Sequence, residues 1–426
     1  MQIMANKNLK SVIVCDLEGR IETFNQGAQE IFGYSPEEVI GQKRVSLFSP
    51  GLIVLEHVQT WLKTAREQGE FKTRTVFLRR DGTPFTADVR ITPTFRNGEQ
   101  IGYCGVTTPV LEIPSEQAMP PVKLSTRFFA WLVVTRAPFL TATLVPIMAG
   151  AAWVSARNLT QPFPWGMFVL ALLGAIALHV SANTFNDYFD WRSGTDKINN
   201  AYFMPFSGGS RSIELGLISE KRLLWVAWIA LALASLAGLP FLFVRGPVLL
   251  LFGLAGAFSA YYYTAPPLRL AARKGLGELL VGLNFGPLMV AGTVFALTGN
   301  LSWLDFFIGL PIGLFTTAIL WINQFPDLEA DALTGKTNLV VILGRQRSRW
   351  GYLLLMVAAF GSVLLGVLRG YLPESALLML AGAPLAIYTT RILFRHYNER
   401  LLIKANSNTI LLHLVCGLLL AVGLYL

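Results

Sequence analysis

The sequence predicts a multi-domain chain: an amino-terminal α+β domain followed by an all-α polytopic membrane bundle of about nine transmembrane helices. Three observations carry this. Of 426 residues, 53% are hydrophobic and only 14% are charged, where soluble proteins average about 25% charged. The charge is also uneven: residues 1–119 hold 13 Lys+Arg and 14 Asp+Glu, while residues 120–426 hold 22 and 12 in more than twice the length. Beyond residue 127, finally, apolar stretches long enough to cross a bilayer follow one another to the carboxyl end. A single soluble domain is excluded; the net charge is +9, and no nucleic-acid partner is expected.

The first ten residues, MQIMANKNLK, lack the apolar stretch of a secretory signal, so the front domain is expected to stay on the side of synthesis. Cys15, Cys104 and Cys416 are far apart with no CxxC spacing, which fits a reducing compartment and neither a disulfide framework nor a zinc site. From Ser11 to about Val110, strand-like runs show a period of two, with Phe85, Ala87, Val89 and Ile91 alternating against Thr86, Asp88 and Arg90. Glu18-Gly19, Asp81-Gly82 and Asn97-Gly98 supply turns, the last two being strong hairpin dipeptides. Helical stretches are expected around Asn25–Phe32 and Ile53–Glu67. Pro114, Pro120 and Pro121 then break the pattern, which sets the domains at 8–112, a linker at 113–126 and a membrane part at 127–426.

Nine spans can be drawn, at roughly 128–156, 163–187, 222–243, 247–264, 276–297, 304–325, 350–368, 375–394 and 408–426. With a cytoplasmic amino terminus, the 22 basic residues of 120–426 all fall inside except Arg157, Arg245 and Arg369, as the positive-inside rule requires. The expected location is therefore an inner or plasma membrane, with the front domain facing the cytoplasm. Most acidic residues crowd the same face in two clusters.

The second span ends HVSANTFNDYFDWRSGTD. Asn183, Asp187 and Asp190 sit at i, i+4 and i+7 and so share a helix face, Asn186 lies a turn before Asp190, and Asp196 follows the flexible Gly194. The sixth ends INQFPDLEADALTGKTNL, with Asn323, Asp327 and Asp331 at i, i+4 and i+8; Pro326 removes a backbone donor there and predicts a kink. Both spans run inward, so five carboxylates meet at one level. They would repel one another unless neutralised, and oxygen ligands without His or Cys specify a hard cation, Mg2+. Because Mg2+ keeps part of its shell for waters and substrate phosphate, a diphosphate bridged by metal is expected. Lys197, Arg211, Lys336 and Arg136 would complete its neutralisation, with the PFSGGSRS segment and its Gly208-Gly209 amides on the same side. His179 is expected to be buried on a backbone carbonyl.

The front domain resembles the PAS sensor family through Asp16, Gly19-Arg20-Ile21, Asn25, Ala28, Phe32-Gly33-Tyr34-Ser35, Glu38, Gly41 and Arg80-Asp81-Gly82. That resemblance implies haem, flavin, a small metabolite or no ligand, and dimerisation; His57 stands where haem-binding members carry a proximal histidine. The membrane part resembles the UbiA superfamily of intramembrane prenyltransferases, in its naphthoate branch, through NDYFDWRSGTD, YYTAPPLRL, GLGELLVGLNFGPLMVAGT and NQFPDLEADALTGKTNLVVILG. It departs from the broad NDxxDxxxD pattern, since Gly194 takes the third aspartate's place and Asp196 comes two residues later. What this implies is Mg2+-dependent transfer of a polyprenyl group from a polyprenyl diphosphate to an aromatic acceptor, 1,4-dihydroxy-2-naphthoate first. Asp187, Asp190, Asp327 and Asp331 would be catalytic, and these four with Asp196 would hold metal. Asn183, Asn186, Asn323 and the basic residues would bind substrate, with Tyr188, Tyr262 or Tyr263 facing the allylic cation. Homogentisate, 4-hydroxybenzoate, a chlorin or a glycerol phosphate lipid remain alternative acceptors, and a PAS-regulated receptor or transporter is the reading outside enzymes.

Overall fold

A computed structural model describes residues 9–157, 162–199 and 207–426, apart from the side chain of Lys197. The chain forms two compact units, Met1–Val134 with Arg211–Ser219, and Thr135–Ser210 with Glu220–Leu426.

The first unit is built on a five-stranded antiparallel sheet: β1 (Ser11–Asp16), β2 (Ile21–Phe24), β3 (Phe71–Leu78), β4 (Pro84–Arg96) and β5 (Glu99–Pro109), in the order β2-β1-β5-β4-β3. Asn97 and Gly98 both take positive φ, which closes the β4–β5 hairpin with Arg96 opposite Glu99. Helix α1 (Gln26–Phe32) starts at Asn25, whose side chain accepts from Ala28 N at 2.8 Å and from Val12 N at 2.9 Å. One short side chain thus caps a helix and ties it to β1. Phe32, Phe48, Phe77 and Phe85 fill the core, Phe32 and Phe48 lying 4.3 Å apart. The expected alternation on β4 holds for Phe85, Ala87 and Val89, all buried, against exposed Asp88 and Arg90. Thr86 is buried instead of exposed, because the chain beyond β5 covers it and Ile113 O accepts its hydroxyl at 2.8 Å.

The second expected helix appears as helical turns from Gly51 leading into α2 (Gln59–Gln68). His57 lies in a wide turn, Val54–Val58. Its Nε2 is 3.3 Å from Pro121 O and its ring stacks on Trp61, so it engages the linker and not the phenylalanine core. The linker itself is less extended than its prolines suggest: Ser115–Ala118 is a helical turn, Lys123 N donates to Glu56 at 3.0 Å, and helix α3 (Leu124–Val134) follows. The segment Arg211–Ser219 completes this unit. A Cβ on Gly51 would fall on the carbonyl oxygen of Leu215 and 2.7 Å from Leu217 Cδ2.

The second unit is helical: α4 (Ala137–Arg157), α5 (Trp165–Ser193), α6 (Glu220–Arg245), α7 (Val248–Tyr262), α8 (Leu276–Thr298), α9 (Trp303–Leu333), α10 (Leu339–Leu368), α11 (Glu374–His396) and α12 (Arg400–Tyr425). Among the described residues, eight are long and apolar enough to cross a membrane; α7, at 15 residues, is shorter. It still performs the return expected of the fourth span, because the ends of α5 and α9 meet (below), and only an even number of passes between them allows that. The first span is shorter than expected. Arg136 adopts φ 54° ahead of Pro138, so residues 124–134 turn off as α3 and the crossing begins at Ala137.

The central helix α9 runs unbroken through Pro311 and Pro326 to Leu333, where the sequence predicted a kink at Pro326. It packs on α8, α10 and α12. Against α8 the approach is backbone to backbone: a Cβ on Gly286 would lie 2.5 Å from Gly309 O and Gly313 Cα. Glycines four apart on both helices, Gly282/Gly286 and Gly309/Gly313, permit this contact, a common way to join helices where lipid removes any hydrophobic drive.

Candidate active site

Helices α5 and α9 deliver Asp190, Asp327 and Asp331 to one mouth of a cavity of about 620 Å³, with Asp187 not among its lining residues; the far walls are Leu, Ala and Phe side chains and glycine backbone of α5, α6, α7 and α8. Arg136, Asn183, Asn186, Asp190, Asp196, Asn323, Asp327, Asp331, Lys336 and Tyr263 all line it. Lys336 joins the two helices. Its Nζ is 2.8 Å from Asp190 and 3.7 Å from Asp331, and its backbone N donates to Asp331 O at 2.8 Å. Burial alone would favour the neutral amine, but Asp190 and Asp331 outweigh it and hold the ammonium above its ordinary value.

The remaining acids are held by loop donors. Asp187 receives Ser210 N at 3.2 and 3.3 Å and lies 3.8 Å from Arg136 Nη1, which also donates to Asn186 Oδ1 at 3.2 Å. Asp327 receives Asn199 Nδ2 at 2.7 Å and Gly208 N at 3.1 Å. The Gly208-Gly209 amide segment expected to cradle an anion therefore contacts the carboxylates. Gly209 is required there: its φ is +74°, and a Cβ would lie 3.0 Å from Asp187 Oδ1 and 3.4 Å from both Asp196 oxygens.

Among the described residues, five carboxyl groups face Lys336 and Arg136, a formal excess of three negative charges. Among the described residues no three His, Cys, Asp or Glu side chains gather as a ready metal cluster; the acids stand apart on their lysine, arginine and amide partners. This still fits Mg2+, which takes one or two carboxylates and completes its shell with water and phosphate. All donors at the mouth are hard oxygens, and Asp187 and Asp196 flank a common point beside Gly209.

Two expected residues, Tyr188 and Tyr262, fall outside the cavity lining. Tyr188 packs against Phe189 and accepts a hydrogen bond from Arg192 at 3.0 Å, away from the cavity lining, and Tyr262 stacks on Phe258 and Tyr261. Arg211 belongs to the first unit, where its Nη1 meets Glu214 at 2.7 Å. The side chain of Lys197 lies outside the described residues. His179 lines the cavity, but its Nδ1 partner is the hydroxyl of Thr143 at 2.7 Å, not a backbone carbonyl.

The structure adds residues that the sequence reading passed over. Asn338 caps α10 through Val341 N and donates Nδ2 to Asp331 at 2.8 Å; an Asn ahead of LVVIL is an ordinary cap signal. Buried Glu278 accepts Leu339 N at 2.8 Å and Gln324 Nε2 at 3.2 Å, clasping α8, α9 and α10. Asn406 of α12 donates to Asn323 at 2.7 Å.

The model of the UbiA prenyltransferase family matches residues 143–420. The chain belongs to the UbiA prenyltransferase family. It is an integral membrane prenyltransferase of that family, and a PAS domain, matched over residues 9–107, precedes the enzyme. It is 31% identical over 297 residues to the 2-carboxy-1,4-naphthoquinone phytyltransferase of Synechocystis, covering 69% of this chain and 92% of that one. It is also 31% identical to the 1,4-dihydroxy-2-naphthoate octaprenyltransferase of Mycobacterium tuberculosis, over 61% and 84% of the two chains. A UbiA homolog from Aeropyrum pernix superposes with a TM-score of 0.50 at 15% identity, over 66% of this chain and 96% of that one, a likeness of fold.

Proposed function

We propose that this UbiA enzyme transfers a polyprenyl group from a polyprenyl diphosphate to 1,4-dihydroxy-2-naphthoate in lipoquinone synthesis. The observation that carries the reading is Lys336, which pins the acid-bearing ends of α5 and α9 together at the mouth of an apolar cavity. A charged head fits the mouth and a hydrocarbon tail fits the walls. Relatives named for a carboxylated naphthalene oxygenated at positions 1 and 4 favour that acceptor over homogentisate or 4-hydroxybenzoate.

Asp187, Asp190, Asp196, Asp327 and Asp331 would hold Mg2+, which when bound neutralises the departing diphosphate. The protein's own part is positional. Lys336 and Arg136 supply fixed positive charge to the diphosphate oxygens as the allylic C–O bond breaks and its electron pair leaves with the diphosphate. The apolar walls keep water from the allylic cation, and Tyr263 places a ring on the cavity surface. The cation bonds to the electron-rich ring carbon, and CO2 leaves with the substitution. The basic-residue bias supports an active site and PAS domain on the cytoplasmic side.

The test is prenyl transfer in membranes containing the full chain, with Mg2+ or EDTA, over a panel of acceptors. Mg2+-dependent formation of a decarboxylated, prenylated naphthoquinol is expected; Mg2+-dependent diphosphate release only with another acceptor would overturn the naphthoate assignment.

Regulation by the PAS domain forms part of the same reading. Arg211–Ser219, part of the PAS-containing unit, follows directly in the chain from Ser207–Ser210, whose amides hold Asp187 and Asp327. Gly51→Val would displace Leu215, and it is expected to shift the KM for the diphosphate by about threefold or more. Kinetics identical to the parent enzyme would remove the coupling.

A further inference from the structure

Asn406 belongs to the polar run Asn406-Ser407-Asn408-Thr409 near the start of α12 and is itself fully buried. A polar group at such a place is costly in a membrane helix and is normally functional. Its Nδ2 makes two hydrogen bonds to α9, at 3.2 Å to Ile322 O and at 2.7 Å to Asn323 Oδ1. Its own Oδ1 finds no partner among the described residues.

The first bond has a cause in the sequence. Pro326 has no N–H, so the carbonyl four residues earlier, that of Ile322, loses its helical partner. Asn406 replaces it, which is one reason α9 continues through Pro326 without breaking. The second bond follows by elimination. A carbonyl can only accept, so the group Asn406 turns to α9 is its NH2; the atom of Asn323 facing that NH2 must then be oxygen. The NH2 of Asn323 is left, and it donates to nothing among the described residues, while Asn323 lines the cavity one helical turn from Asp327.

We infer that Asn406 is a positioning residue that fixes the amide of Asn323 with its NH2 toward the cavity, as a donor to an anionic oxygen of the substrates. This rests on the prenyltransferase reading above. An unfixed amide could present either end, and its oxygen would repel the same anion. Two oxygen anions come within the proposed chemistry, the diphosphate and the acceptor's carboxylate, and separate KM values distinguish them.

The experiment is a double-mutant cycle on the full chain, with Asn406→Leu, Asn323→Leu and both together. Turnover is read at varied diphosphate and varied acceptor, with calorimetric binding of geranylgeranyl diphosphate in Mg2+ and melting temperature alongside. Asn406→Leu is expected to raise one KM, or the diphosphate Kd, about tenfold, and to add nothing in the Asn323→Leu background. Equal effects in both backgrounds, or a lowered melting temperature with unchanged KM and Kd, would mean that Asn406 only joins helices, and would overturn the inference. Failure of the functional reading looks different: the parent chain itself would neither transfer prenyl groups nor bind the diphosphate.

Discussion

Lys336→Met is expected to lower kcat/KM for prenyl transfer by about 10²–10³-fold, the usual effect of removing one preorganised charge-stabilising donor. The lysine acts twice. At rest it separates Asp190 from Asp331, at 2.8 and 3.7 Å; in the reaction it is a cation in contact with both clusters when the diphosphate takes on charge. Methionine keeps the length and the apolar stem, so the change isolates the ammonium. Breaking a buried ion pair generally costs about 3–5 kcal/mol, because the partner charge is stranded. Here two carboxylates would be stranded, but they lie on a cavity that admits counter-ions, so melting temperature should fall less than that figure implies and recover with added Mg2+. Lys336→Arg should retain part of the activity, since charge persists while the planar fork misfits two carboxylates on different helices. A methionine variant within about threefold of the parent kcat/KM would place the diphosphate away from Lys336.

The bundle was legible because bilayer thickness writes itself into composition. The break at Arg136 was not, since FFAWLVVTRAPFLTATLV is apolar on both sides and hydropathy carries no information about φ. The short α7 was drawn at full length for a similar reason: apolar residues continue past Tyr262 into TAPPL, and only the turn there stops the helix. In the site, Asp187, Asp190, Asp327 and Asp331 announce themselves by spacing, because each shares a helix face with another polar residue one or two turns away, even though the groups that hold them come from elsewhere in the chain. Asn406 and Glu278 do not, as each finds its partner across the fold, 83 residues away for Asn406 with Asn323 and 61 for Glu278 with Leu339. What the sequence did offer was a polar side chain among others, Asn406 within KANSNT, with nothing local to say which of them turns inward. Tyr188 shows the opposite failure. It stands next to Asp187, yet successive helical residues point about 100° apart, and its ring turns out toward Phe189 and Arg192.

That contrast between acids legible from their helical spacing and those that are not allows a paired prediction on half-buried Asp327 and buried Glu278. Asp327→Asn is expected to reduce kcat by about 10²–10³-fold and to raise the Mg2+ concentration for half-maximal rate, whereas Glu278→Gln should leave both close to the parent values. The substitution is the same, acid to amide, but the surroundings differ. Both oxygens of Asp327 are engaged, one by Asn199 Nδ2 at 2.7 Å and the other by Gly208 N at 3.1 Å. An asparagine must therefore set its NH2 against one of two donors, pushing away the loop as well as removing a charge from the cavity mouth. Glu278 uses only Oε1, toward Leu339 N and Gln324, and Oε2 has no partner among the described residues. Glutamine can keep Oε1 where it is and place its NH2 at the unused position, so the clasp of α8, α9 and α10 survives. Initial rates over a Mg2+ titration for both variants decide the matter. If Glu278→Gln shifted the Mg2+ dependence and Asp327→Asn did not, the metal would have to sit deeper, beside Gln324, and the two-cluster site would be wrong.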